Sequence, residues 1–303
     1  MRIEDFVPQA REPSPRSGQT APDPAEQIER LAEWQATTGE PWVLPLEHLS
    51  ASSLNLFLRC ARSFQQQYIL KREQPVGSDL VLGSAVHGAI AWNALNKDYT
   101  PDEAAGYFAE FELPSQVEDT GDRLRWDDDQ DLVRTRGALM VKTYCEQVLP
   151  RLEVAEIERR FELDIPGVPI PVLGFVDITQ KGTRPSVDIK TSKDRESRIL
   201  PHWLLQGKIY QVAEQRPIDW HVLTKQVTPQ AVTSLEAPML LQAYSDTQAE
   251  RTRQLVEKLA WEINHLYATL GPDDDWPWNG IVHTWACGRC TWKGDCPGWE
   301  GTT

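Results

Sequence analysis

Three β-type segments follow one another in the middle of the chain: VAEIERRFELDI from Val154, PIPVLGFVDITQ from Pro169 and PSVDIKT from Pro185. Their residues alternate or run β-branched, and Gly and Pro punctuate the gaps, the pattern of neighbouring strands in one sheet. A helical pattern over about 202–214 follows, then strand-like WHVLTKQV and QAVTSLEA, then a helix over about 245–270. This order predicts an α/β fold with a mixed central sheet flanked by helices.

The first half of the chain reads as helical. In LSASSLNLFLRCARSFQQQYIL, Leu54, Phe57, Leu58, Ala61, Phe64 and Tyr68 trace one apolar face behind a capping Ser52 or Ser53, which predicts one helix with Cys60 inside it. Further helices are expected over about 82–95, from just after Thr100, and over about 129–148. Residues 1–46 carry Pro8, Pro13, Pro15, Pro22, Pro24, Pro41 and Pro45 among polar neighbours and read as a flexible arm. Ile28, Leu31 and Trp34 allow a short helix over about 25–36 within it, which can pack on the core of the body or dock on a partner.

With 303 residues, 40% hydrophobic and 25% charged, the chain can build one sizeable core and an appendage. A net charge of -14 excludes a protein that grips nucleic acid over its whole surface, so any such contact must be local. No apolar run is long enough to span a bilayer, and the N-terminus lacks the apolar stretch of a signal peptide, so a cytoplasmic protein without membrane contact is expected. In a reducing compartment its five cysteines are better suited to binding metal than to forming disulfides.

Asp177 ends the segment GFVD, and Asp188, Ile189 and Lys190 lie in VDIKT after a short turn. Residues two apart on a strand leave by one face, so Asp188 and Lys190 converge, and an adjacent strand can bring Asp177 to them. Two carboxylates suit a hard divalent cation, and an ammonium beside them can orient a water for attack on a phosphodiester. His87 lies upstream on a helix in LGSAVHGAI, and Gln206 and Tyr210 stand one turn apart in LLQGKIY.

A helix His, a G-x-x-D strand, a D-x-K strand and a Q-x-x-x-Y helix, in that order, resemble the RecB-like branch of the PD-(D/E)XK nucleases. The resemblance implies a restriction-endonuclease-like core and a metal-dependent deoxyribonuclease using Mg²⁺ or Mn²⁺. It further implies that His87, Asp177, Asp188 and the Ile189 carbonyl hold the metal, that Lys190 assists the attacking water, and that Gln206 and Tyr210 position DNA and Lys190.

Near the C-terminus, CGRCTWKGDC gives Cys287, Cys290 and Cys296. Cys60 is the better fourth ligand, because Cys145 sits in a helix where a lone cysteine behaves as a small hydrophobe. Four thiolates could take zinc, but the three-plus-one split favours an iron-sulfur cluster. The split is similar to that of CRISPR-associated and helicase-linked RecB-like nucleases, which implies a 4Fe-4S cluster closing a helical subdomain. On this resemblance residues 47–303 form the nuclease domain, with 101–150 a helical insertion and 271–303 the segment completing the cluster.

The expected activity is exonucleolytic cutting of single-stranded DNA ends in replication, recombination or CRISPR adaptation, with a helicase, recombinase or CRISPR integration proteins as candidate partners. Its rival is a non-catalytic iron-sulfur DNA-binding or adaptor subunit. Arg59, Arg62, Lys71, Arg72, Lys193, Arg195 and Arg198 are candidate phosphate contacts, and Trp92, Trp203 and Trp292 candidate stacking platforms.

Overall fold

A computed structural model describes residues 24–193, 196–224, 240–278 and 284–299. Its centre is a five-stranded sheet ordered β3 (Val154–Leu163), β4 (Val172–Gln180), β5 (Ser186–Ser192), β6 (Ile218–Thr224) and β7 (Leu240–Gln242). The pair β5–β6 is parallel and the other three are antiparallel, so the sheet is mixed, as its sequence order predicts. A parallel pair needs a crossover, and α8 (Pro201–Glu214) supplies it. The segment QAVTSLEA lies outside the described residues.

Two apolar layers cover the sheet. One gathers Trp220, Val222, Trp203 and Ile209 with Leu54 and Phe57 of α2 (Ala51–Arg59) and Val256 and Ile263 of α9 (Asp246–Leu270). The other packs Val187, Ile189 and Leu223 against α4 (Ser78–Leu95) and α7 (Gln130–Gln147). The helical insertion is built from α5 (Pro101–Tyr107), α6 (Leu113–Thr120) and α7. It is tied back by the short parallel pair of β1 (Val76–Gly77) with β2 (Leu124–Arg125). Its acidic stretch is used locally: Asp129 caps α7 by accepting the Leu132 N–H at 3.1 Å, and Asp128 pairs with Arg136 at 2.6 Å.

Two expectations need correction. The arm reading does not hold beyond residue 23: α1 (Pro24–Thr38), the helix that Ile28, Leu31 and Trp34 allow, has Trp34 completely buried, and Leu44 beyond it is almost so. Arg30 bonds Asp164 and the Val168 carbonyl, and the Asn264 side chain takes the Val43 and Leu44 N–H groups. The apolar area of Trp34 and its edge-on contact with Trp42 outweigh the prolines around them. Residues 1–23 of that arm lie outside the described residues. The second correction is at Cys60, where the expected single helix breaks. Cys60 is extended, with φ -165° and ψ 112°, and it ends α2 and starts α3 (Ala61–Phe64).

Among the described residues no helix is long and apolar enough to cross a membrane.

Candidate active site and thiol cavity

The Ile178↔Val187 pairing of β4 with β5 brings Asp177 and Asp188 side by side at the next step along the strands. There the ladder changes character: the Ile189 N–H donates to Oδ2 of Asp177 at 2.6 Å instead of to a backbone carbonyl. Because a strand residue's N–H and C=O leave toward the same neighbour, the Ile189 carbonyl also faces the Asp177 side. Asp188 and Lys190 leave β5 together, as period two requires, and Lys190 Nζ lies 2.5 Å from Oδ1 of Asp188. Lys190 also stands over the Trp220 ring, 5.4 Å from its centroid.

Two close helix approaches complete the site. Gly83 lies one turn before His87 on α4, and a Cβ there would come within 3.2 Å of the Thr191 hydroxyl of β5. The bare backbone lets α4 settle on the sheet, and His87 Nδ1 comes to 3.4 Å from Oδ1 of Asp177. On α8, a Cβ at Gly207 would lie 2.3 Å from the Gln242 amide and 2.7 Å from Trp220. Its neighbour Gln206 donates to Oδ2 of Asp188 at 2.9 Å and to the Tyr210 hydroxyl at 2.8 Å. All seven residues expected at the site, His87, Asp177, Asp188, Ile189, Lys190, Gln206 and Tyr210, are therefore joined in one chain of direct contacts.

The electrostatics divide the two acids. Burial pushes Asp188 up to about 6, more than the Lys190 charge can offset. Burial acts on Asp177 in the same sense, but the His87 charge and hydrogen bond, with Lys190 and the Ile189 N–H, leave it below the ordinary carboxylate range. Burial works against a charged His87, yet Asp177 outweighs it and the imidazole titrates above its usual value. Burial raises the Tyr210 phenol and keeps it protonated, and Gln206 holds its oxygen.

Sequence reasoning missed Glu158. One ligand atom each from His87, Glu158 and Asp177 lies within 4.8 Å of the others. The β3–β4 register of Ile157↔Ile178 and Arg159↔Val176 sets Glu158 opposite Asp177, and Glu158 holds φ 50°, a left-handed value that costs a non-glycine residue on the order of 1 kcal/mol. In the string EIERRFE it resembles an exposed, charged edge strand. The one available signal was the count across the β3–β4 hairpin, which runs without a shift from Leu163↔Val172 to Glu156↔Thr179 and sets Glu158 against Asp177.

A cavity of about 320 Å³ is lined by Cys60, Cys287, Cys290 and Cys296. Burial and then the neighbouring thiols raise Cys287 above the ordinary thiol range. Cys145 lies apart and buried in α7, pushed up to about 12 by burial. The break at Cys60 has a partner on the tail: Arg62 N–H reaches the Pro277 carbonyl at 2.9 Å, and its guanidinium pairs with Asp275 and donates to the Asp295 carbonyl. Gln65 donates to the carbonyls of Pro272 and Asp274. Trp276, fully buried, stacks on Phe64.

The candidate DNA contacts sort themselves. Arg62 is committed to the tail, Trp203 is buried in the core, and Trp92 stacks on Tyr107 at 4.2 Å. Arg59 is exposed and lines the thiol cavity with Trp292. Arg195 lies outside the described residues.

The model of the PD-(D/E)XK nuclease superfamily matches residues 48–297. The chain belongs to this superfamily. As a PD-(D/E)XK nuclease it is a phosphodiester hydrolase. A protein from Eubacterium rectale described as a candidate exonuclease shares the fold at TM-score 0.50 and 13% identity, over 78% of this chain and 86% of its own. The protein SSO0001 aligns over 90% of this chain and 96% of its own at 14% identity and TM-score 0.36. No curated protein matches this sequence.

Proposed function

We propose that this PD-(D/E)XK nuclease is a RecB-like deoxyribonuclease that degrades single-stranded DNA from an end, with a divalent cation at His87, Asp177, Asp188 and the Ile189 carbonyl. The observation that carries the reading is the meeting of these groups with Lys190 at one end of the β4–β5 pairing, where Asp188 is 1% exposed. Burying a carboxylate at that depth is unfavourable unless a cation offsets it, and an all-oxygen set with one imidazole suits Mg²⁺ or Mn²⁺. Glu158 extends that donor set toward His87.

A bound cation would polarise the phosphoryl group and acidify a water. The chain's own groups do the rest. Lys190 holds that water in line and offsets charge developing on the phosphoryl oxygens. Gln206 fixes the second oxygen of Asp188, and Tyr210 fixes Gln206, so the carboxylate keeps one orientation as substrate arrives.

We extend the proposal to a 4Fe-4S cluster held by Cys60, Cys287, Cys290 and Cys296. The four thiols line one cavity, and the split of Cys60 from Cys287, Cys290 and Cys296 favours an iron-sulfur cluster over zinc. Such a cluster would staple α2 to the tail, completing what Arg62 and Gln65 begin. A cytoplasmic setting and a helicase, recombinase or CRISPR integration partner belong to the same reading.

End-labelled single- and double-stranded DNA, incubated with Mg²⁺ or Mn²⁺, tests it. Wild type should shorten the single strand progressively, and Lys190→Ala should not, while keeping wild-type circular dichroism. Equal cutting by the variant would defeat the proposal. Iron and sulfide content of the anaerobic protein tests the cluster, and a stoichiometric zinc content would replace it.

A further inference from the structure

Lys190 is held from two sides. The β5–β6 register sets Trp220 beside Asp188 and Val222 beside Lys190, and paired residues share a face, so all four side chains project toward α8. The Lys190 side chain turns back along β5, because its Nζ lies 2.5 Å from Oδ1 of Asp188 and over the indole of Trp220, 5.4 Å from the ring centroid. That ring is fixed in place. Trp220 is fully buried, stacks on Trp203 with centroids 5.8 Å apart, and donates from Nε1 to Oε1 of Gln242 at 3.3 Å. Gln211 of α8 in turn donates to the Gln242 carbonyl at 2.7 Å. A Cβ at Gly207 would lie 2.7 Å from the ring edge, so α8 closes directly onto it.

The two holds differ in what they do when a cation sits among the acids. Asp188 would then share its charge with the cation, and two positive charges a few ångströms apart repel, all the more where burial lowers the dielectric. The attraction between an ammonium and the negative face of an indole does not depend on Asp188, and at a desolvated site it is worth roughly two- to thirtyfold in occupancy. The Lys190 side chain is only 20% exposed, so its contact with Trp220 is of the desolvated kind. An aliphatic residue could fill the same place in the core, but it would offer no such face. We propose that Trp220 is a positioning residue of the nuclease site, whose indole keeps the Lys190 ammonium over the acids when the bound cation would repel it. The inference rests on the nuclease reading and adds to it the group that holds Lys190 in its working place.

The test uses the full-length protein, end-labelled single- and double-stranded DNA and Mn²⁺. Placing 5-fluorotryptophan at position 220 alone keeps the packing and weakens the negative face of the ring, so kcat should fall about twofold with an unchanged melting temperature. Trp220→Leu removes the face, and kcat should fall roughly tenfold or more, of which Trp220→Phe should recover a large part. KM should stay within about twofold of wild type in all three. All three should also remove Mn²⁺ from solution at least as tightly as wild type, because a released Lys190 no longer opposes the cation. Wild-type kcat in the fluorinated protein, equal losses of kcat in the Phe and Leu variants, or Mn²⁺ uptake that weakens along with kcat would each overturn the inference and leave Trp220 a filler of the core. If Lys190→Ala stops cutting while the fluorinated protein cuts as wild type does, only the role of Trp220 fails. If wild type cuts no DNA, the nuclease reading itself fails, and this inference with it.

Discussion

Oδ2 of Asp177 takes the backbone N–H of Ile189 at 2.6 Å, so a side chain stands where a carbonyl of β4 would continue the ladder. This one substitution of partners fixes the Asp177 carboxylate beside Asp188 and leaves Oδ1 of Asp177 toward His87. The metal-binding geometry proposed here is therefore a local defect in strand pairing, held by the otherwise regular β5–β6 pair on the other side.

Acidity should control the metal site through Asp188. A cation needs this group as a carboxylate, and without metal burial holds it at about 6. Between about pH 7 and about pH 5 its ionised fraction falls about tenfold, so Mg²⁺ affinity measured by calorimetry should weaken by a similar factor. Stability of the metal-free protein runs the other way. The native state holds this proton more tightly than the unfolded chain, so the contribution of Asp188 is complete below the ordinary carboxylate pKa and disappears as pH rises through about 6. Asp177, depressed in the fold, contributes above the ordinary carboxylate range and loses that contribution as pH falls through its lowered value. Asp188→Asn should thus remove the loss of melting temperature on raising the pH through about 6; an unchanged pH profile in that variant would refute this.

Glu158→Gln keeps the size of the side chain and removes its charge from the His87–Asp177 group. Mg²⁺ or Mn²⁺ affinity should fall roughly tenfold or more, with the thermal midpoint little altered. Wild-type affinity would show that Glu158 is only a neighbour of the site.

Gly207→Ala should separate packing from chemistry. The added methyl meets Trp220 and Gln242, so α8 must shift, at roughly 1 to 3 kcal/mol. Gln206 moves with it, and cleavage should drop by more than the loss of folded protein explains. Thermal melts and single-turnover rates measured on the same sample check both halves; full activity in a destabilised protein would break the link.

Much of this was legible in the chain. Period two put Asp188 and Lys190 on one face, and helical spacing paired Gln206 with Tyr210. The three middle strands and α8 stand within a few residues of their sequence-derived bounds. What escaped depends on contacts between distant segments. The apolar face of α2 runs on past Cys60, so no local signal announced the break there, whereas the helical spacing of Ile28, Leu31 and Trp34 already marked α1. Arg62 looked like a phosphate ligand because its carboxylate partner, Asp275, is far away in sequence.

That partnership carries its own test. Arg62→Ala removes the guanidinium that joins α3 to the tail, a loss of roughly 1.5 to 3 kcal/mol for bonds to a charged group. Amides around Cys290 and Cys296 should exchange faster and the proposed cluster should be lost sooner to a chelator, while amides of β5 keep their protection. Uniform loosening of the whole protein would contradict a clamp confined to the tail.

Binding of Mn²⁺ followed by the paramagnetic resonance of the free ion bears most directly on the proposed metal site. Wild type and Lys190→Ala should each remove Mn²⁺ from solution at the same high-affinity site, whereas Asp188→Ala and Asp177→Ala should leave it free. Undiminished Mn²⁺ uptake by Asp188→Ala would contradict a cation held between these acids, and with it the role assigned to Lys190.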